Sequence, residues 1–478
     1  MKKRRFLTLL LLSSIILASC GGSEGSTDTV DTSADTTTEA LTVVDAYTEV
    51  EAKDYGGRTF HFWYNGNDFE PNQDVNAIEL TGETLNDAIF ERNEAISDKY
   101  NIVITSEFVS DISRKILNSV SAGDNAVDVA LELPGSTFAA AQEGAFANIN
   151  DIPHLSFDMP WWDETMRADM EIDGLNYCAI SSMNIHAYGA TPVVVFNKKL
   201  AEDFGVENLY KVVEEGRWTI DYMISTAKGI ISDVNGDTKY DLNDMYGFIA
   251  NNFCVDCLIG GSGWQVVTKD ESGELKINLT AERFYDIYNK IRELTLLDNG
   301  AYLTDRYHGA HKDEEIEILF EDNRALFWVT NLKGVQRRRR MEGDFGVLPM
   351  PKIDDRQDKY YSHLQGGIGD AIHVPTTCED IDMMGRILED FAYYSYKDVI
   401  PAFYEVTLKG KAMRDDESAA TLDILLDNYY YDIGMLMGIV NQFRSPVTSN
   451  DENIVSFIES RINGYENSIE KLNTAFED

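Results

Sequence analysis

Polar and apolar residues alternate through Arg58-Thr-Phe-His-Phe-Trp-Tyr64, which predicts a strand. Leu85, Ile89, Ile96 and Tyr100 then recur at helical spacing, so Glu83–Tyr100 reads as a helix. Asn101–Phe108 follows as a strand, Asp111–Ala122 as a helix with Asp111 at its cap, and Val127–Leu133 as a buried-type strand. Pro134-Gly135 stops that strand, and Phe138–Gly144 forms a small helix. Another apolar run, Pro192–Phe196, opens a second strand-and-helix series with strands at Ala325–Val329, Phe345–Leu348 and Ala371–Val374. The last 80 or so residues are mainly helical, and Ile454, Ile458, Ile462, Tyr465, Ile469 and Leu472 make a core-packing stripe. Strands alternating with helices imply α/β units with mostly parallel sheets. The pattern predicts two such lobes, with the chain crossing between them near residues 193 and 345. Several crossings make a hinge, and a cleft between lobes suits a ligand.

The N-terminus follows a different pattern. Lys2, Lys3, Arg4 and Arg5 precede a short apolar stretch, Phe6–Ala18. It is shorter than the ~20 apolar residues a bilayer span needs, and it matches a secretory signal. Leu17-Ala18-Ser19-Cys20-Gly21 resembles the lipobox of bacterial lipoproteins. That resemblance implies cleavage before Cys20, a lipid on its thiol and a position on the extracytoplasmic face of the cell membrane. From Gly21 to about Asp54 the chain is rich in Ser, Thr, Asp, Glu and Gly. Such a segment buries too little to offset its ordering entropy, so it reads as a disordered tether. Its reach is roughly 30 Å, from about 5–6 Å × √n.

Charge narrows the partners. The 478 residues carry 82 acids against 41 Lys and Arg, a formal charge of −41. Residues 1–19 hold four cations and no acid, so the chain without them stands at −45. A surface this negative repels nucleic acid and anionic lipid. Membrane contact is expected only through the lipid on Cys20, and a monomer is expected.

Four further segments carry a resemblance. They are Glu79-Leu-Thr-Gly-Glu-Thr-Leu-Asn-Asp-Ala-Ile-Phe-Glu-Arg-Asn93, Phe196-Asn-Lys198, Gly216-Arg-Trp-Thr219 and Asp344-Phe-Gly-Val-Leu-Pro-Met-Pro351. In this order along residues 56–478, the chain resembles the extracellular solute-binding proteins of family 1, the sugar-type branch. The resemblance implies an α/β, type II periplasmic-binding-protein-like fold, with two lobes joined by a hinge around a ligand cleft. It also implies an ABC importer's substrate-binding lipoprotein that is not an enzyme. Such a protein captures a carbohydrate by closure and passes it to permease subunits. The organisation read here is a signal at 1–19 and a tether at 20–55. Residues 56–190 plus about 345–400 form the first lobe, and 191–344 plus about 401–478 the second.

One loop suggests a cation. Asp233, Asn235, Asp237, Lys239, Asp241 and Asp244 occupy positions 1, 3, 5, 7, 9 and 12, with Lys239 offering its backbone carbonyl. Ca²⁺ takes six to eight oxygens, and this spacing wraps one segment around it. The loop resembles a dockerin or EF-hand loop, with Thr238 where Gly is usual and Asp244 in place of Glu. A structural Ca²⁺ is expected, locking the loop before Met245-Tyr-Gly-Phe248.

Other motifs are less pointed. Cys254-Val-Asp-Cys257 fits buried thiols, a local disulfide or a redox pair; no second pair or nearby His completes a zinc site. Arg337–Arg340 reads as a solvated helix face paired with acids. Gly366-Gly-Ile-Gly369 precedes a strand, whereas a phosphate loop should open a helix.

Sugars stack their apolar faces on aromatic rings. Candidate ligand contacts are Trp63, Tyr64, Trp161, Trp162, Trp264, Trp328, Tyr360 and Tyr361. Trp63 is favoured because open α/β sheets bind at the C-terminal ends of their strands. Trp264 follows Gly260-Gly-Ser-Gly263, whose bare backbone permits close approach. Trp218 reads as structural, ahead of a cap at Thr219. Two rival classes remain: a secreted glycoside hydrolase, needing two carboxylates about 5–10 Å apart, and a binding module built on the dockerin-like loop.

Overall fold

The computed structural model describes residues 47–65, 74–309, 312–363, 370–404 and 415–475. Cys20, the signal segment, His311 and Gly366–Gly369 lie outside the described residues. Among the described residues nine strands build two main sheets. They are β1 (Arg58–Tyr64), β2 (Ile102–Phe108), β3 (Val129–Glu132), β4 (Pro192–Asn197), β5 (Tyr246–Ala250), β6 (Ala301–Leu303), β7 (Ala325–Asn331), β8 (Phe345–Leu348) and β9 (Ala371–His373).

The first sheet has the order β9-β3-β1-β2. β1 runs parallel to β2 and β3, and β9 is antiparallel to β3. Alternation in β1 works as read: Phe60 and Phe62 enter one core, while Trp63 enters the other. The helix Thr84–Tyr100 buries Leu85, Ile89, Ile96 and Tyr100, the stripe that predicted it. Asp111 does not cap the helix Ile112–Ala122 with its side chain; it sits at φ 57° and pairs with Arg114 at 2.7 Å.

The second sheet has the order β8-β4-β7-β5-β6. Its central strands are buried on both faces, which explains runs such as Pro192–Phe196. Phe345–Leu348, expected to return to the first lobe, pairs instead antiparallel with β4, Phe345 opposite Asn197 and Leu348 opposite Val194. An apolar four-residue strand carries no mark of which sheet edge takes it. The crossing back therefore lies between Leu348 and Ala371.

The expected tether also ends earlier than residue 55. Tyr47–Tyr55 lies along the helix Ile381–Tyr394. The Tyr47 hydroxyl donates to Glu389 at 2.9 Å, Glu49 pairs with Lys99 at 3.2 Å, and Lys53 pairs with Asp382 at 2.9 Å. Glu49 and Lys53 thus meet opposite charges on the lobe, while Asp54 accepts from the Asn101 amide at 2.7 Å.

The C-terminal stripe falls on two helices, Ile454–Glu459 and Ile462–Ala475, and buries Ile454, Ile458, Tyr465, Ile469 and Leu472 as expected. Cys254 and Cys257 are free thiols buried in the helix Cys254–Gly261. Arg338 is not solvated: it stacks over Trp328 at 4.7 Å and pairs with Glu317. Among the described residues no helix is long and apolar enough to cross a membrane.

Candidate functional site

The C-terminal ends of β1 and β3 lie side by side, Tyr64 opposite Leu131. Open α/β sheets bind ligands at such ends. Here the chain presents Tyr64, Asn65 and Glu132. Asn65 donates its amide to Glu132 Oε1 at 2.8 Å, and the Leu133 N–H donates to the same oxygen at 2.9 Å. Burial raises the Glu132 carboxyl above its ordinary range. Tyr64 is half-buried, edge-on to Phe108 at 6.2 Å. Trp63, the favoured stacking residue, is 9% exposed and belongs to the core.

A second polar group stands just before β9 and the crossing into β4. The His186 backbone N–H donates to Asp74 at 2.8 Å, and its Nδ1 lies 3.4 Å from Asp370. Burial, with Lys333 nearby, holds the His186 imidazole down at about 3, so it is neutral. Asn65, Glu132, His186 and Asp370 were not singled out in the sequence. A polar residue at the C-terminal end of each parallel strand was the signal for the first two.

The second lobe contributes an aromatic corner. Trp264 is half-buried, and its indole N–H donates to the Asn278 carbonyl at 2.9 Å. The glycines before it do permit close approach, but by the protein itself. A Cβ on Gly260 would lie 1.7 Å from the His363 ring, and one on Gly263 would lie 2.5 Å from the Tyr361 ring. Tyr361 stands perpendicular to Tyr430 at 6.1 Å.

The other expected contacts are structural. Trp161 and Trp162 sit in the first lobe's core, donating to Glu389 at 3.0 and 2.8 Å. Trp328 is packed between Phe320 and Arg338. Tyr360 is buried, accepting from the Trp218 N–H at 3.3 Å and donating to the Val213 carbonyl at 3.1 Å. Burial leaves these rings no open face for a ligand, and the donors of Trp161, Trp162 and Tyr360 are already paired. Trp218 is structural as expected, and Thr219 caps its helix by accepting from the Tyr222 N–H at 3.2 Å.

The acidic loop closes on itself. Asp233 accepts from Gly236 N–H at 2.7 Å and Thr238 N–H at 2.8 Å; Asn235 accepts from Asp237 N–H, and Asp237 from Lys239 N–H. Buried Asp244 accepts from Val234 and Asp241 N–H, both at 2.9 Å, joining the loop's two ends. Thr238 takes φ 67°, the left-handed form that glycine usually supplies. The oxygens at positions 1, 3, 5 and 12 thus bond backbone amides. Among the described residues no three His, Cys, Asp or Glu side chains converge as a metal-binding group.

No protein-family model matches the chain, and no curated protein does so either. Solved structures do match. An ABC substrate-binding protein of Listeria monocytogenes, in complex with cycloalternan, is 12% identical, with 86% of this chain and 99% of that chain covered and a TM-score of 0.56. The galacto-N-biose/lacto-N-biose I-binding protein of an ABC transporter from Bifidobacterium longum is 13% identical, over 86% and 98%, at 0.55. UgpB of Mycobacterium tuberculosis, in complex with glycerophosphocholine, is 15% identical, over 86% and 100%, at 0.55. The chain therefore has the type II periplasmic-binding-protein-like fold of these structures, with its two main sheets each part of an α/β lobe.

Proposed function

We propose that this protein is the extracytoplasmic substrate-binding lipoprotein of an ABC importer, capturing a carbohydrate by closure of its lobes and delivering it to a permease. The observation that carries this reading is the near-full coverage of solute-binding proteins by one continuous fold, several of them in complex with sugars. The protein itself performs no catalysis. A ligand shifts the lobes toward closure by its greater affinity for that form. Tyr64 and Asn65, backed by buried Glu132, offer one polar edge with a ring beside it; Trp264 and Tyr361 offer rings on the second lobe. This is the pairing that hydroxyl-rich, flat-faced ligands need. A panel of mono- and oligosaccharides tests the reading by calorimetry. Heat of binding from at least one is expected; none from any, with no thermal shift, overturns the carbohydrate assignment.

The anchor and the cation belong to the same proposal. Fatty-acid labelling of the full chain is expected to be lost in Cys20→Ala. Ca²⁺ would be held by Asp233, Asn235, Asp237, the Lys239 carbonyl, Asp241 and Asp244. The spacing of these positions supports this reading, and the cation would neutralise the loop's charge.

A further inference from the structure

Polar contacts between the lobes gather on one short segment of the second. The Tyr431 hydroxyl donates to Asp163 Oδ2 at 2.6 Å, and the Tyr431 backbone N–H donates to Asp169 at 2.9 Å. Asp163 caps the helix Glu164–Met170 of the first lobe, and Asp169 lies in its last turn. Lys269, also of the second lobe, donates to the Ala168 carbonyl of that same helix at 2.6 Å. Close by, Gly135 faces the Leu436 carbonyl so tightly that a Cβ would come within 2.7 Å.

Each side of this seam is fixed to its own lobe. Asp163 Oδ1 caps its helix, accepting from Thr165 and Met166 N–H at 3.0 and 2.9 Å, which leaves Oδ2 for Tyr431. On the other side, Asp432 accepts from Val266 N–H at 2.7 Å, Val267 N–H at 3.2 Å and Gly434 N–H at 2.8 Å. Gln265 donates to the Tyr431 carbonyl at 2.9 Å. Tyr431 is thus held rigidly by one lobe while its hydroxyl and N–H reach the other.

We infer that Tyr431, with Lys269, is a latch between the lobes that sets how readily the cleft opens. All three bonds break if the helix Glu164–Met170 moves away from Lys269 and residues 429–436. A hydrogen bond to a charged acceptor is worth enough to change the closed-to-open ratio on the order of tenfold to a hundredfold. The latch rests on the two-lobe closure above, but it acts without any sugar. Ligand-free scattering therefore tests it independently of the carbohydrate assignment.

The test is small-angle scattering of the ligand-free full chain and two variants. Tyr431→Phe keeps the ring and the backbone N–H and deletes only the bond to Asp163. Lys269→Met deletes the second tie from an exposed side chain. Both variants are expected to shift to a larger radius of gyration with an unchanged helical spectrum, and the double variant to shift further. Scattering curves that superimpose on the parent's, or a more compact variant, overturn the latch. Should Tyr431→Phe lose its fold, Lys269→Met decides alone, and its failure to expand the chain is then the overturning result.

Discussion

Two aromatic regions read alike in the sequence and behave as opposites. Trp161 and Trp162 surround Glu389, a fully buried carboxylate that also accepts from the Tyr47 hydroxyl at 2.9 Å and the Ser156 N–H at 3.0 Å. Trp264 precedes a turn held by Asp432, another buried acid, but this one accepts from the backbone N–H groups of Val266 and Val267. In the first region the acid takes the indoles inward and makes them core. In the second the acid holds the backbone, and the indole stays half-exposed. The lesson is that an aromatic's availability depends on what its polar edge is bonded to. A buried acid that binds indole N–H groups removes those rings from the surface.

The largest expected effect breaks the first region. Trp161→Ala should cost about 3–5 kcal/mol of unfolding free energy, because it removes a fully buried indole. Urea denaturation measures this; a loss below about 1 kcal/mol would return Trp161 to the ligand-facing set. Glu389→Gln sharpens the same point. It keeps the shape but turns one acceptor oxygen into a donor facing donors, for a loss of about 2 kcal/mol. A matching urea midpoint for variant and parent would deny the hub its role.

The second region is tested by pH and then by binding. Burial pushes the Asp432 carboxyl from 3.8 up to about 7, ahead of the lowering effect of its three amide donors. A raised folded value means that the stability it contributes is full below about pH 4 and is lost as pH rises toward about 7. Asp432→Asn should flatten that slope, read as the difference between parent and variant urea midpoints from pH 4 to 8. Parallel profiles would count against it. The smallest effect is Trp264→Ala, which should leave the melting temperature nearly unchanged. It should weaken carbohydrate binding by several-fold, the worth of one ring contact of about 1 kcal/mol. Calorimetry with the best sugar of the panel decides, and an unaltered dissociation constant would remove Trp264 from the site.

The fold was the more legible part. Alternation in Arg58–Tyr64 and the stripe Leu85, Ile89, Ile96, Tyr100 report burial directly, since side-chain direction follows backbone period. Strand partners were less so: Phe345–Leu348 reads as a strand from four apolar residues, yet its pairing with β4 depends on which edge lies open. The site was the least legible. Tyr64, Trp264 and Tyr361 keep exposed faces, while Trp63, Trp161, Trp162, Trp328 and Tyr360 are core. Nothing local separates the two sets, because Glu389 is more than 220 residues from either indole it binds.

By itself the sequence determined the α/β alternation, the strong negative charge and the spaced acids of the 233–244 loop. Each of these is a local pattern whose physics acts within a few residues. Only the tertiary structure decided which aromatics stay available, where the chain returns to the first lobe, how Tyr47–Tyr55 docks, and that Tyr431 spans the lobes. Those outcomes depend on polar partners brought together across hundreds of residues, and burial makes such partners obligatory.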